Sequence, residues 1–466
     1  MTGEPTVPSH VVVVGGGIAG LAAAYRLRRD CSVGTRVTVL DGARGLGGKL
    51  RTSLIEGVAV DEGAEMFLAR DPAALDLARA VGLGEDLVHP VTGAASVVVG
   101  GALRPLPART VLGVPADLDA LAASGVLTPA GLSRVLAGAA APGEAVLEDT
   151  SVGQLVRDRL GAEVIERLVD PLLGGVYAGS ADGLSLHATV PALAAALRTP
   201  RSLVAAAQAA LPPSAAGPAF ATLRPGLGSL VDAVVGALEA DVRTGLAVRH
   251  LARTGSGWRV TAGPVPDPTI LDADAVVVAV PALPAARLLR EVAPSAADEL
   301  GGIGYASMVI VTLVYPPAPL PAGSGLLVGS AEGRAVKAVT FSSQKWAHLA
   351  GGPTVVRASI GRYGEEAALQ CSDEELAALA ATDLDELTGS GRRPIATRVT
   401  RWGGGLPQYA VGHLDRVRRI ADAVARTPGL AVAGAAYGGV GIPACIRSGY
   451  AAAGQVAAYL GQSGHG

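Results

Sequence analysis

Apolar positions change period along the chain, and each change marks an element. Val11-Val12-Val13-Val14 is an unbroken β-branched run that suits a strand buried on both faces. Arg36-Val37-Thr38-Val39-Leu40 and Ala275-Val276-Val277-Val278-Ala279-Val280, stopped by Pro281, read the same way. Between the first two runs, Ile18, Leu21, Ala22 and Tyr25 fall at i, i+3, i+4 and i+7. That spacing predicts a helix with one apolar face toward a sheet and with Arg26, Arg28 and Arg29 on its outer side. Residues 71–81 read as another helix, with Pro72 in its first turn. Residues 108–214 are rich in Ala, Leu and Val and are broken by Pro115, Pro129, Pro142, Pro171, Pro191, Pro200 and Pro212, at intervals that fit short helices. Beyond Leu223 the pattern returns to α/β, with a helix to Leu238 and strands around Ala247-Val248-Arg249-His250-Leu251 and Trp258-Arg259-Val260. Alternating segments from Val309 to Val314 and from Val355 to Ile360 predict a mostly β region. A last strand is expected over residues 430–437, with a helix from about Ala444.

The glycines between the first strand and helix carry the first chemistry. Gly15-x-Gly17-x-x-Gly20 follows a strand and opens a helix, the context in which this spacing allows a tight turn, close approach to a diphosphate and helix-on-strand packing. With 20 residues between Gly20 and Asp41, the second strand ends at an acid placed to accept hydrogen bonds from a ribose diol. A second glycine turn, Gly45-Leu46-Gly47-Gly48-Lys49, brings more bare backbone near the same ligand, and Gly438-Gly439-Val440-Gly441-Ile442-Pro443 points a third turn and helix N-terminus at it. An extended dinucleotide suits three such approaches, and a flavin ring suits the last.

At 466 residues the chain exceeds what one core supports. The fold class is α/β, with a Rossmann-like nucleotide-binding domain from 1–90, 215–288 and 396–466, a mostly β substrate domain from 91–107 and 289–395, and an inserted α-helical domain at 108–214. A net charge of −3 without long charged runs excludes a nucleic-acid partner. Cys31, Cys371 and Cys445 are isolated, so neither a disulfide framework nor a metal site is indicated, and a reducing, cytoplasmic location is expected. Residues 1–10, with Glu4, Pro5, Pro8 and no Lys or Arg, are unlike a signal peptide. The longest uncharged stretch, 429–446, is glycine-rich and holds Pro443, which argues against a transmembrane span. A peripheral membrane contact stays open.

The chain resembles the flavin-dependent protoporphyrinogen and coproporphyrinogen oxidases of haem biosynthesis, within the monoamine-oxidase-like flavoproteins. The resemblance runs through Ser151-Val152-Gly153, Pro171 to Gly179 with its Gly175-Val176-Tyr177-Ala178-Gly179, Leu184-Ser185-Leu186, Ser343-Gln344-Lys345-Trp346, Pro407-Gln408-Tyr409 and Gly434 to Cys445. It implies FAD as cofactor, held by Gly15, Gly16, Gly17, Ile18, Ala19, Gly20, Asp41, Gly42, Gly48, Lys49, Gly63, Ala64, Glu65, Met66, Val248, Trp402, Val440, Gly441 and Ile442. It further implies a porphyrinogen substrate, molecular oxygen as reoxidant and transient docking with other haem-pathway enzymes. Three departures stand out. Arg44 lies one residue earlier than the arginine of the second turn, Gly434-Ala435 lacks the aspartate common in other flavoproteins of the fold, and Glu65 stands where plant and animal relatives tend to carry arginine. An acid there is expected to repel a propionate.

Arginine offers carboxylates a bidentate fork, so Arg70 is the first substrate candidate, followed by Lys345 and Arg447, with Tyr177 and His413 as cleft-lining candidates. The absence of a targeting segment, the soluble look of residues 108–214, Glu65 and the arginine-rich style favour coproporphyrinogen III. Protoporphyrinogen IX oxidation, amine oxidation on the same fold and a non-catalytic flavin or porphyrin carrier are the alternatives.

Overall fold

His10–Val14 is a strand whose four valines are no more than 3% exposed. Parallel neighbours flank it on both sides, Arg36–Leu40 and Ala275–Val278, with Asp241–Arg243 beyond the first and Leu430–Val432 beyond the second. This computed structural model describes residues 9–31, 34–213 and 217–463, so Glu4, Pro5 and Pro8 lie outside the described residues. Val11 and Val13 enter a core shared with the helix Ile18–Asp30, whereas Val12 and Val14 enter one that holds Trp258 and Leu289. Burial on both faces is why the strand reads as a continuous apolar run.

The helix Ile18–Asp30 is more deeply buried than its spacing implied. Ala19, Leu21, Ala22, Ala23 and Ala24 are no more than 6% exposed, because the C-terminal helix Ile442–Ser463 covers the side turned away from the sheet. Gly449 makes this contact possible. A Cβ there would lie 2.2 Å from Ala19 O and 3.0 Å from Ala23 N, so the two helix backbones touch.

Other expectations shift in detail. The helix over 71–81 occupies Pro72–Ala80, capped by the Asp71 carboxylate, which accepts from Ala73 N at 3.3 Å. The last strand stops at Val432 instead of continuing to 437, because Gly434 takes φ +130 and turns the chain away, and the helix beyond begins at Ile442, where Pro443 fits the first turn. Val248 belongs to a separate antiparallel sheet of Val248–Arg253, Trp258–Ala262 and Thr269–Ala273.

A seven-stranded, mostly antiparallel sheet carries Ala396–Pro407, Tyr305–Tyr315, Thr354–Ile360, Val336–Phe341, Gly325–Val328, Ser96–Val99 and Ala102–Pro105, in that order. The helix Asp373–Thr388 packs on one of its faces. Residues 108–214 hold the hairpin Thr110–Val111 and Val114–Pro115 before a run of helices from Leu118–Ser124 to Leu203–Ala210. Asp149 ties these helices to the rest. Its carboxylate accepts from Ser185 Oγ at 2.7 Å, His187 N at 3.1 Å and Gly412 N at 2.9 Å, and backbone N–H donors and hydroxyl together hold its carboxyl below the usual range. Among the described residues no helix is long and apolar enough to cross a membrane.

Gly449→Val should lower stability by about 3 kcal/mol, the upper range for overpacking a tight contact. Gly454→Val, on the same helix with nothing within 4 Å of an added Cβ, should stay near wild type; urea unfolding of both variants measures the difference.

Candidate functional site

The first two glycine turns lie against each other at the carboxyl ends of the parallel strands. Gly47 N donates to Gly16 O at 2.7 Å, and Gly17 and Gly47 form a parallel bridge. Gly15, at φ +111, faces Ala279 O at 2.6 Å from an added Cβ, and a Cβ on Gly20 would fall 1.9 Å from Gly15 O. Both are glycine because the protein leaves no room. Gly17 and Gly45 differ, since an added Cβ at either meets nothing within 4 Å, and Gly48 meets only Gly17 Cα at 3.4 Å. The bare backbone there faces open space above the N-terminus of the helix Ile18–Asp30, where Ile18 and Ala19 follow, a cradle that fits a diphosphate.

Asp41 accepts from Gly16 N at 2.6 Å and Ala43 N at 2.7 Å, so its carboxylate bridges the first turn to the stretch leading into the second. Leu246 N donates to Asp41 O and Gly245 N to Ala43 O, while a Cβ on Gly42 would meet Ala247 Cβ at 3.0 Å. These contacts bring Val248 beside the second turn. Arg44 is exposed on its outside.

Lys49 connects this turn to two further segments. Its carbonyl accepts from Ala64 N at 3.2 Å, and burial lowers the pKa of its ammonium, opposed by the nearby Cys445. Trp402 lies across the same place, donating Nε1–H to Glu62 O at 2.9 Å, with its ring 5.2 Å from the Arg51 guanidinium and Cζ2 3.1 Å from an added Cβ on Gly63. The proximity of Lys49 to Cys445 puts the second turn at the start of the C-terminal helix, where Val440, Gly441 and Ile442 stand. The two ends of the chain therefore meet, with Ile18, Leu50, Ile442 and Cys445 in one core.

The third turn is fixed from below by an aromatic stack. Tyr409 OH donates to Ala435 O at 2.5 Å and accepts from Gly439 N at 3.0 Å. His413 stacks on Tyr409 at 4.0 Å with Nε2 3.3 Å from Tyr437 O, and Tyr177 tilts against Tyr409 at 5.7 Å. His413 is 3% exposed, and burial pushes its pKa down to about 4; burial also pushes Tyr177 up to about 12. These groups stay neutral at pH 7 and brace the turn. Tyr409 was legible only as part of a motif, and its hydroxyl is what holds the turn.

Glu65 corrects the expectation of a repelling acid. Its side chain is 11% exposed and accepts from Ser342 Oγ at 2.8 Å and Trp346 Nε1 at 2.9 Å, with Lys345 Nζ at 3.4 Å and Arg357 Nη1 at 3.1 Å. Although burial alone would raise it, these two cations and two donors hold its carboxyl down at about 2. One carboxylate thus sits between two cations, with the Asp61 carboxylate close to the same Arg357. Arg357 also donates to Gly63 O at 2.6 Å, so the cluster fixes the strip from Glu62 to Met66 against the seven-stranded sheet. Arg357 was missed in the sequence, although a charge inside the buried run Thr354–Ile360 was the available signal.

Of the remaining candidates, Arg447 forms an ion pair with Asp71, and Lys345 is 6% exposed on Glu65. Arg70 is exposed and pairs with no described acid. It is the candidate cation left open.

A parallel sheet with glycine turns gathered from both chain ends, beside a mostly antiparallel sheet, defines a flavoprotein of the oxidoreductase class. The family described as flavin containing amine oxidoreductase matches residues 18–457, and the chain belongs to it. Proteins named coproporphyrinogen III oxidase are similar over almost the whole length. One from Mycobacterium tuberculosis is 39% identical, covering 94% of this chain and 95% of that protein, and one from Bacillus subtilis is 32% identical, covering 97% and 98%. A crystal structure of a candidate protoporphyrinogen oxidase from an Exiguobacterium species superposes with a TM-score of 0.87 at 32% identity, covering 98% of this chain and all of that one. Putrescine oxidase, at 18% identity and a TM-score of 0.72, shares the fold.

Glu65→Ala should cost about 4 kcal/mol, because it strands Lys345 and Arg357 in the interior without a counter-charge. Since Glu65 titrates at about 2 folded and near 4.5 unfolded, its contribution is present above pH 4.5 and is lost as pH falls through about 2. Acid unfolding followed by fluorescence should show a shallower pH dependence below 4.5 in Glu65→Gln than in wild type.

Proposed function

We propose that this chain is an FAD-dependent coproporphyrinogen III oxidase that consumes three oxygen molecules and releases coproporphyrin III and three hydrogen peroxide. The observation that carries this reading is the near full-length likeness to proteins of that name, supported by two glycine turns that bridge at the end of a parallel sheet. FAD fits the residues present, because Gly17, Gly45 and Gly48 offer open backbone where a diphosphate has to approach closely. Bound there, FAD supplies two-electron acceptance for each of three successive oxidations, with oxygen as final acceptor.

In this reading the chain binds and orients. The turns at Gly15–Gly20 and Gly47–Lys49 hold the diphosphate, Asp41 takes the ribose, and Val248 stands on the adenosine side. Glu62 to Met66 and Trp402 form the wall along the flavin. Val440, Gly441 and Ile442, at the N-terminus of a 22-residue helix, favour the negative charge that the pyrimidine end gathers on reduction. Arg70 offers its guanidinium to a propionate. Arg447 and Lys345 drop behind it, since Asp71 and Glu65 already take their charges. The division into FAD-binding, substrate and helical domains belongs to the same proposal. So does a cytoplasmic location, supported by the free thiols of Cys31, Cys371 and Cys445.

Amine oxidation fits less well. An amine site on this fold needs an aromatic cage at the flavin face, and with three Phe, three Trp and nine Tyr, of which Trp258 is fully buried in a core and Trp346 is buried on Glu65, such a cage is poorly supplied.

Purified protein given each porphyrinogen should turn coproporphyrinogen III over faster than protoporphyrinogen IX, with three oxygen molecules consumed per porphyrin formed. Porphyrin fluorescence and an oxygen electrode measure both. Faster turnover of protoporphyrinogen IX reverses the substrate assignment, and inertness toward both leaves a carrier. Asp41→Ala should weaken FAD retention about tenfold, in line with the loss of a charged hydrogen-bonding partner, read by equilibrium dialysis.

A further inference from the structure

A cavity of about 110 Å³ lies between the helix Asp170–Tyr177 and the strands Gly325–Val328 and Val336–Phe341. It adjoins the candidate cleft without belonging to it. The helix that walls it ends at Tyr177, whose ring belongs to the aromatic stack under the third turn, while Gly174 and Gly179 face the cavity.

Lys337 lines this cavity and has no partner. It is 2% exposed, yet its Nζ makes no hydrogen bond. The local strand geometry accounts for its direction. Pairing with Thr354–Ile360 slips between Val336 and Ala338, so Val336 N can donate to Asp383 Oδ2 at 3.0 Å on the helix-covered face while Lys337 faces the cavity. A register slip of this kind re-aims a side chain. Nothing in strand pairing itself requires an ammonium there.

The groups facing Lys337 make the imbalance specific. Arg362 donates only to carbonyls, Val328 O at 3.0 Å and Arg334 O at 3.4 Å, and pairs with no described carboxylate at contact distance. Asp170 accepts from Ala181 N at 2.8 Å, and Glu365 lies on the exposed rim. Lys345 and Arg357, by contrast, are buried and share Glu65. A buried ammonium without a counter-charge is costly unless something brought from outside completes it. With Asp170 and Glu365 nearby, a singly charged oxyanion suits the site better than a dianionic phosphate.

We infer that this cavity is a carboxylate-binding site in which Lys337 and Arg362 receive one carboxylate, either from a propionate arm of the tetrapyrrole or from a small free acid. The first source rests on the proposed function, and the second does not.

The chain contains three lysines, Lys49, Lys337 and Lys345, so protein labelled with ¹³C at lysine Cε gives three side-chain resonances, and Lys337→Arg identifies the one in question. Without additive, the FAD-loaded protein should show Lys337 titrating near 7, where burial and Arg362 push it. Coproporphyrin III should raise that midpoint by at least one pH unit, and its tetramethyl ester should leave it in place. A rise with glutarate alone assigns the site to a free acid and still supports it. No rise with either acid, or an equal rise with the ester, overturns the inference. Lys337→Gln should weaken the effective carboxylate about tenfold, read by fluorescence quenching for the porphyrin or by the Arg362 side-chain resonance for glutarate. Oxidation of coproporphyrinogen with Lys337 indifferent to every acid would sink this site and spare the proposed function. A glutarate response in a protein that turns over no porphyrinogen would do the reverse.

Discussion

The contact of two helix backbones at Gly449 is the constraint on which the rest of this fold depends. Ala19 O and Ala23 N stand where a side chain would otherwise go, so the helices Ile18–Asp30 and Ile442–Ser463 lie against each other with their N-termini at the same end. The sheet enforces this arrangement, since Ala275–Val278 pairs with His10–Val14 on one side and with Leu430–Val432 on the other. Two positive helix ends and three glycine turns then converge. Burial of one chain end against the other forms the core on one face of the parallel sheet, so the placement of the glycine turns and stability come from the same packing.

A second constraint runs at right angles to the first. The strip from Glu62 to Met66 is tied to the seven-stranded sheet by charge: Glu65 holds Lys345 and Arg357, and Glu62 holds Arg51 and Arg398. The inner pairs are largely desolvated and multiply hydrogen-bonded, the condition under which a broken ion pair costs most. The outer ones involve half-exposed arginines and contribute little. This strip, proposed as the wall beside the flavin, is therefore positioned mainly by one carboxylate.

Much of this was legible in the sequence because it is local. Val11 to Val14, the glycine spacing and Asp41 each report on neighbours a few residues away, and the structure puts them where such spacing requires. What could not be read is long-range. Glu65 appeared as an isolated acid, and only the strand Thr354–Ile360 arriving from almost 300 residues away gives it Arg357 as a partner. The helix Ile18–Asp30 seemed one-sided, because nothing in its own spacing announces a second helix at its back. Arg447 and Lys345 looked like free cations for the same reason, their acids lying far off in the chain.

Charge placement finally separates structural cations from available ones. Lys345 and Arg357 are buried and matched, Arg447 is exposed and matched, and Arg70 is exposed without a described acid. Among these five, only Lys337 is buried with no acid at contact distance. A substrate carrying several carboxylates needs cations that the fold has not already neutralised. Of these five, the two that meet that condition stand on different elements, Arg70 five residues beyond Glu65 in the chain and Lys337 on the strand behind the helix that ends at Tyr177. Recognition of a flexible macrocycle by its periphery, with the reactive carbons left to the cofactor, requires such separated holds.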